Sequence, residues 1–168
     1  MSKISFRFAE ARDCGLILDF IKKLAIYEKM EQDVIATPEK LYHTLFEKKY
    51  AEVLFIMSDR KEVGFALFFH NYSTFLGQSG IFLEDLYVLE EERGKGYGKA
   101  LIRKLAAIAL ERNCGRLEWN CLKWNSPSLK FYQGLGAVKM EEWVGLRLTR
   151  DAMENLAEKG PGKENLNS

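Results

Sequence analysis

Glu84-Asp85-Leu86-Tyr87-Val88-Leu89-Glu90-Glu91-Glu92-Arg93-Gly94-Lys95-Gly96-Tyr97-Gly98-Lys99 decides the fold. An apolar strand, read from Gly80 to Leu89, runs into a tight basic-glycine loop. The loop opens an amphipathic helix from Tyr97 to about Asn113, with Leu101, Leu105 and Ile108 on its buried face. This order gathers backbone N–H groups at a helix N-terminus, a setting that suits a pyrophosphate. A P-loop needs a glycine where Arg93 stands and a Ser or Thr where Ala100 stands, so that pattern fails at both ends. A dinucleotide fingerprint needs G-x-G-x-x-G, and Gly94-Lys95-Gly96-Tyr97-Gly98 is one residue short. The pattern that remains is Arg93-x-x-Gly96-x-Gly98, read either as an anion loop or as a glycine-rich turn with solvated charges.

Working outward, Ile4 to Phe8 alternates as a first strand. Asp13 is placed to cap a helix reaching about Lys29, with Leu16, Phe20, Leu24 and Tyr27 in its apolar stripe. Thr37-Pro38 gives a cap followed by proline, and predicts a shorter helix to about Phe46. Val53–Met57 and Val63–Phe69 read as a hairpin about the polar turn 58–61. Residues 71–79 read as a loop and Leu117–Cys121 as a strand. Ser126-Pro127 repeats the cap-then-proline signal for a helix through about Gln133, which Gly134 and Gly136 end. Ala137–Leu148 reads as a final strand region and 151–158 as a short helix. The fold class is α+β, a mixed sheet covered by helices, with one domain over 1–159 and a polar, disordered tail over 160–168.

Bulk composition narrows the partners. Lys and Arg total 25 against 24 Asp and Glu, a net charge of +1 that gives no drive towards nucleic acid. No run approaches the roughly 18 apolar residues of a membrane span. The N-terminus lacks the apolar stretch of a signal peptide. Three cysteines and two histidines match no metal-site spacing, so no metal and no disulfide is expected, and the cytoplasm is the expected compartment.

Two motifs in order carry a resemblance. Leu83-Glu84-Asp85-Leu86-Tyr87-Val88 before Arg93-Gly94-Lys95-Gly96-Tyr97-Gly98, and then Trp124-Asn125-Ser126-Pro127-Ser128-Leu129-Lys130-Phe131-Tyr132-Gln133-Gly134-Leu135-Gly136-Ala137, resemble the GCN5-related N-acetyltransferases (GNAT). Leu24-Ala25-Ile26-Tyr27-Glu28, Met30-Glu31, Leu83-Glu84-Asp85 and Trp124-Asn125 are similar to the diamine (spermidine/spermine) branch. The resemblance implies a mixed sheet splayed around acetyl-CoA with helices on both faces, a groove for a polyamine-like amine, and a homodimer.

It also implies site residues. Leu86, Tyr87 and Val88 would pair with the pantetheine amides as an added strand does. Arg93, Gly94, Lys95, Gly96, Tyr97, Gly98 and Lys99 would hold the diphosphate, with Asn125 and Ser128 on the pantetheine. An aliphatic amine has a pKa near 10.4 and arrives protonated, so Glu84 is the candidate base, directly or through a water. Asp85 faces the other way if the strand is regular. Tyr132 is the candidate acid for the departing thiolate; read without the resemblance, it is a core aromatic beside Phe131. Tyr27 and Glu28 match acceptor-contact positions, a cation–π face and a carboxylate for a distal ammonium. Glu118, Trp119, Asn120 and Glu142 complete the acceptor candidates, though 118–120 and 141–143 depart from the family pattern. The leading expectation is an N-acetyltransferase for a small polyamine-like amine. An amino acid such as a lysine analogue, a protein amine, and a non-catalytic acyl-CoA module are the alternatives.

Overall fold

The computed structural model describes residues 3–158, so the expected tail lies outside the described residues. The chain forms two compact units, Met1–Asn120 and Cys121–Ser168.

The first unit is a five-stranded sheet in the order β1 (Ile4–Phe8), β2 (Glu52–Ser58), β3 (Lys61–Ser73), β4 (Gln78–Val88), β5 (Leu117–Trp119). The first four strands run antiparallel, and β5 joins β4 in parallel. The mixed, splayed sheet with helices is the α+β fold expected. At the β2–β3 turn, Asp59 and Arg60 both take positive φ, 47° and 72°, the geometry of a two-residue hairpin loop that follows strand twist. The stretch 71–79 is not a loop. Asn71, Tyr72 and Ser73 pair with Gly80, Ser79 and Gln78, and the reversal is confined to 74–77, where Gly77 supplies a φ of 63°. Polar residues at 71–79 masked a strand whose pairing satisfies its backbone.

Helix α1 (Cys14–Tyr27) covers one face of the sheet. Ile17, Phe20 and Leu24 pack with Phe55, Phe65 and Tyr87 in one cluster, and Phe20 stacks on Phe65 at 5.2 Å. Each such side chain contributes about 1.5–3 kcal/mol on burial. The helix stops at Tyr27 because Lys29 turns to a φ of 61°. Asp13 does not cap α1. Its carboxylate accepts the Glu10 N–H at 2.7 Å and both Nη groups of Arg7 at 2.7 and 2.9 Å, closing the turn before the helix. Thr37 Oγ1 accepts Lys40 N–H at 3.2 Å and starts α2 (Pro38–Leu41), which continues as a π-helical turn over Tyr42–Glu47. Helix α3 (Tyr97–Glu111) packs on β3, β4 and β5, with Leu101 and Leu105 fully buried.

In the second unit, α4 (Ser126–Gly134) begins one residue earlier than the proline signal implies. Asn125, not Ser126, is the cap, its Oδ1 accepting Ser128 N–H at 3.3 Å. Gly136 at a φ of 95° ends the helix as expected. Residues 137–149 form no strand. Val138, Met140, Trp143, Val144, Leu146 and Leu148 stay 55–94% exposed, so the alternation in sequence forms no buried face. Helix α5 (Arg150–Glu158) follows.

Candidate active site

The site begins with a register fault. Leu67 pairs with Asp85 and Phe68 with Leu83, so Glu84 is the extra residue of a β-bulge. Before the bulge, Ile81 and Leu83 face the α3 side with Phe68. After it, the residues at the same odd positions face the α1 side, since Asp85 lies opposite Leu67 and Tyr87 opposite Phe65. The expectation that Asp85 faces the other way is conditional on a regular strand, and the bulge removes that condition. A regular strand would separate Glu84 from Asp85; the bulge brings both within electrostatic reach of Glu28.

Three carboxylates therefore act on one another. Burial, then Glu84, then Glu28 push Asp85 up to about 7, from an ordinary 3.8. Glu28 follows Tyr27 at the end of α1, its N–H donating to Leu24 O, and burial followed by Glu84 pushes its carboxyl up as well. Charging the two partly buried acids, Glu28 and Asp85, beside the exposed Glu84 is costly. A cation placed among them removes that cost. Sequence reasoning missed Asp85 because a bulge is a relation between two strands, and no residue at 83–86 announces it.

Beside the acids the sheet opens. β5 pairs with β4 only at Ile81, Phe82 and Leu83, so along Glu84–Val88 that edge of β4 has no strand partner among the described residues. Leu86, Tyr87 and Val88 lie on this edge, with the Tyr87 ring in the α1 core. The loop then turns through Gly94 and Gly96, with φ of 77° and 85°, values at which a side chain is strained. A Cβ added at either glycine meets nothing within 4 Å, so both backbones are open to a ligand. Gly96 precedes the first turn of α3 and supplies no side-chain cap, leaving the first amides of a 15-residue helix to an outside acceptor. The diphosphate of a coenzyme fits this cradle.

The loop side chains divide. Lys95 Nζ bonds Glu92 at 2.7 Å. Tyr97 is buried and its hydroxyl donates to Ser58 at 3.0 Å, which leaves only its main chain to the loop. Gly98 lies in the first turn of α3, and Lys99 is exposed. Arg93 donates Nε–H to Val88 O at 3.2 Å, and its guanidinium carbon lies 4.8 Å from the Tyr27 ring centre and 5.1 Å from that of Tyr87.

The other candidates lie on other elements. Glu118 on β5 pairs with Arg116 at 2.7 Å and accepts from Asn71 at 3.1 Å. Trp119 ends β5 and Asn120 is exposed. In the second unit, Asn125 is buried at the start of α4, Ser128 is in its first turn, and Tyr132 packs its ring 5.2 Å from Phe131. Glu142 is exposed in the irregular stretch. Among the described residues no group of three or more His, Cys, Asp or Glu is placed to hold a metal, and no helix is long and apolar enough to cross a membrane.

Known proteins resemble this chain in sequence and fold. A model of the acetyltransferase (GNAT) family matches residues 21–137. A thialysine N-epsilon-acetyltransferase of Bos taurus is 36% identical, over 95% of this chain and 100% of its own length. A spermidine/spermine N(1)-acetyltransferase-like protein of Homo sapiens is 31% identical over 94% of this chain and 24% of its own. Among solved structures, an integron cassette protein from the mobile metagenome of V. cholerae superposes with a TM-score of 0.77 at 27% identity, covering 92% of this chain and 98% of that one.

Proposed function

The chain belongs to the GNAT acetyltransferase family, N-acetyltransferases that use acetyl-CoA, and from that premise we propose that it acetylates the side-chain amine of a small cationic amino acid, a lysine analogue. The observation that carries this reading is the acidic trio Glu28, Glu84 and Asp85 beside the open edge of β4. The full-length likeness to a thialysine acetyltransferase supports the amino acid. This reverses the preference drawn from sequence, in which a polyamine led. The polyamine stays as the second reading, supported by the spermidine/spermine-like relative and by three acids where a lysine analogue presents two ammonium groups.

Acetyl-CoA supplies an acyl group activated as a thioester. The chain's part is to hold it, to free the amine of its proton and to return a proton to sulfur. We assign Gly94, Gly96 and the amides opening α3 to the diphosphate, with Arg93, Lys95 and Lys99 adding charge. The main chain of Leu86–Val88 takes the pantetheine amides, helped by Asn125 and Ser128. Glu84 takes the ammonium proton, directly or through water. Asp85, titrating near neutral pH, is matched to accept that proton in turn. Tyr27 and Glu28 hold the distal ammonium, and Glu118, Trp119, Asn120 and Glu142 are assigned to the outer groove. Tyr132 Oη gives its proton to the leaving sulfur. We place the protein in the cytoplasm, as one domain over 1–159 working as a homodimer, on the family resemblance and the three free thiols.

The experiment is thiol release from acetyl-CoA with thialysine, lysine, spermidine and putrescine as acceptors. Thialysine is expected to give the highest kcat/KM. Spermidine in first place would favour the second reading, and no release above background with any amine would refute the proposed activity.

A further inference from the structure

Arg93 touches both halves of the site. Its guanidinium lies over Tyr27, the residue assigned to the acceptor, and over Tyr87 on the cofactor edge, while Nε is tied to Val88 O. We propose that Arg93 is a positioning residue that couples the two ligands: without the coenzyme its guanidinium holds the cation seat on the Tyr27 ring, and a diphosphate on the 94–98 loop offsets or draws away that charge. The inference rests on transfer to a cationic amine, as proposed above.

The physical basis is competition for one aromatic face. A guanidinium on a tyrosine ring gains what an acceptor ammonium would gain there, and two cations at one seat repel. Arginine keeps its charge at all working pH values, so deprotonation cannot vacate the seat. The neighbouring lysine does not replace it, because Lys95 is held by Glu92. A Cβ at Gly94, one residue beyond Arg93, would meet nothing within 4 Å, so an anion bound against this open loop lies beside the Arg93 guanidinium. Such coupling is reciprocal: the coenzyme tightens the amine, and the amine tightens the coenzyme by the same factor.

Calorimetry tests this without turnover. Thialysine is titrated into the free protein, into protein saturated with CoA, and into protein saturated with ADP, which carries the diphosphate but no pantetheine. The amine is expected to bind about fivefold tighter with either nucleotide, the scale of one cation–π contact at an exposed site. In Arg93→Gln the difference is expected to fall within about twofold, because the amine now binds the free protein nearly as well as the loaded one. Arg93→Lys, which keeps the charge but loses the planar stack, is expected to restore part of the coupling. Equal amine affinity with and without CoA in the unaltered protein overturns the proposal, as does full coupling in Arg93→Gln. A protein that binds CoA and acetylates amines but shows no coupling loses this inference alone. One that ignores CoA loses the proposed function as well.

Discussion

Replacing Asp85 by Asn removes a carboxyl that the fold keeps largely protonated up to the edge of neutral pH. Its pKa rises from 3.8 to about 7, because of burial first and Glu84 and Glu28 second. At about 1.36 kcal/mol for each tenfold change, the cost of the charged form approaches about 4 kcal/mol. The sign follows from proton counts. Between about pH 4 and pH 7 the folded state binds more protons at this group than the unfolded state, so stability falls as pH rises through that window. Below about pH 4 both states are protonated and the full contribution is present. Above about pH 7 it is lost. Asp85→Asn is therefore expected to match the unaltered protein near pH 4, within the effect of an amide for a carboxyl, and to exceed it by about 2–4 kcal/mol at pH 8, the lower figure allowing for acids that share their shifts. Urea unfolding at pH 4, 5.5, 7 and 8 measures this, with the m-value checked for constancy. A difference between the two proteins that does not change with pH would refute the argument that Asp85 is held neutral by its surroundings. The Asp85 carboxyl therefore destabilises the fold at neutral pH and above, and a perturbed, buried acid of this kind is what marks Asp85 as a site candidate.

Other outcomes are specific. Tyr132→Phe is expected to lower kcat by about 10²–10⁴ with CoA affinity nearly unchanged; an unaltered rate would retire Tyr132 as the acid. Glu28→Gln is expected to raise KM more for thialysine than for a simple monoamine, and equal effects would remove Glu28 from the distal ammonium. Gly96→Ala forces a side chain onto a φ of 85° and is expected to cost about 1–2 kcal/mol in urea stability and to weaken CoA; no change in either would show that the loop does not need its left-handed turn. Gly64→Ala brings a Cβ within 2.8 Å of Tyr87 O, and is expected to lower both stability and CoA affinity by disturbing the strand that carries the open edge.

Local chemistry made much of the fold legible. Thr37-Pro38 capped a helix, the turn 58–61 closed a hairpin, and Leu101, Leu105 and Ile108 marked the buried side of α3, because each signal is complete within a few residues. The glycine loop was legible for the same reason. The errors lie where a partner decides. Asn71–Ser73 looked like loop until their pairing with Gln78–Gly80 was visible. Alternation at 137–148 looked like strand, yet those apolar residues stay exposed and pair with nothing as a strand. Ser126 and Asn125 are both good caps, and only geometry selects Asn125. Among the candidate acids, Glu84 and Glu28 could be named from motif and helix end. Asp85 could not, because its direction depends on the bulge between β3 and β4.

The central claim is that a coenzyme docks its diphosphate on the 93–98 turn and its pantetheine along the open edge at 86–88. Amide NMR during a CoA titration tests it most directly. Saturable one-site shifts concentrated at Leu86–Val88 and Gly94–Gly98 are predicted; no shifts, or shifts confined elsewhere in the chain, would contradict the account.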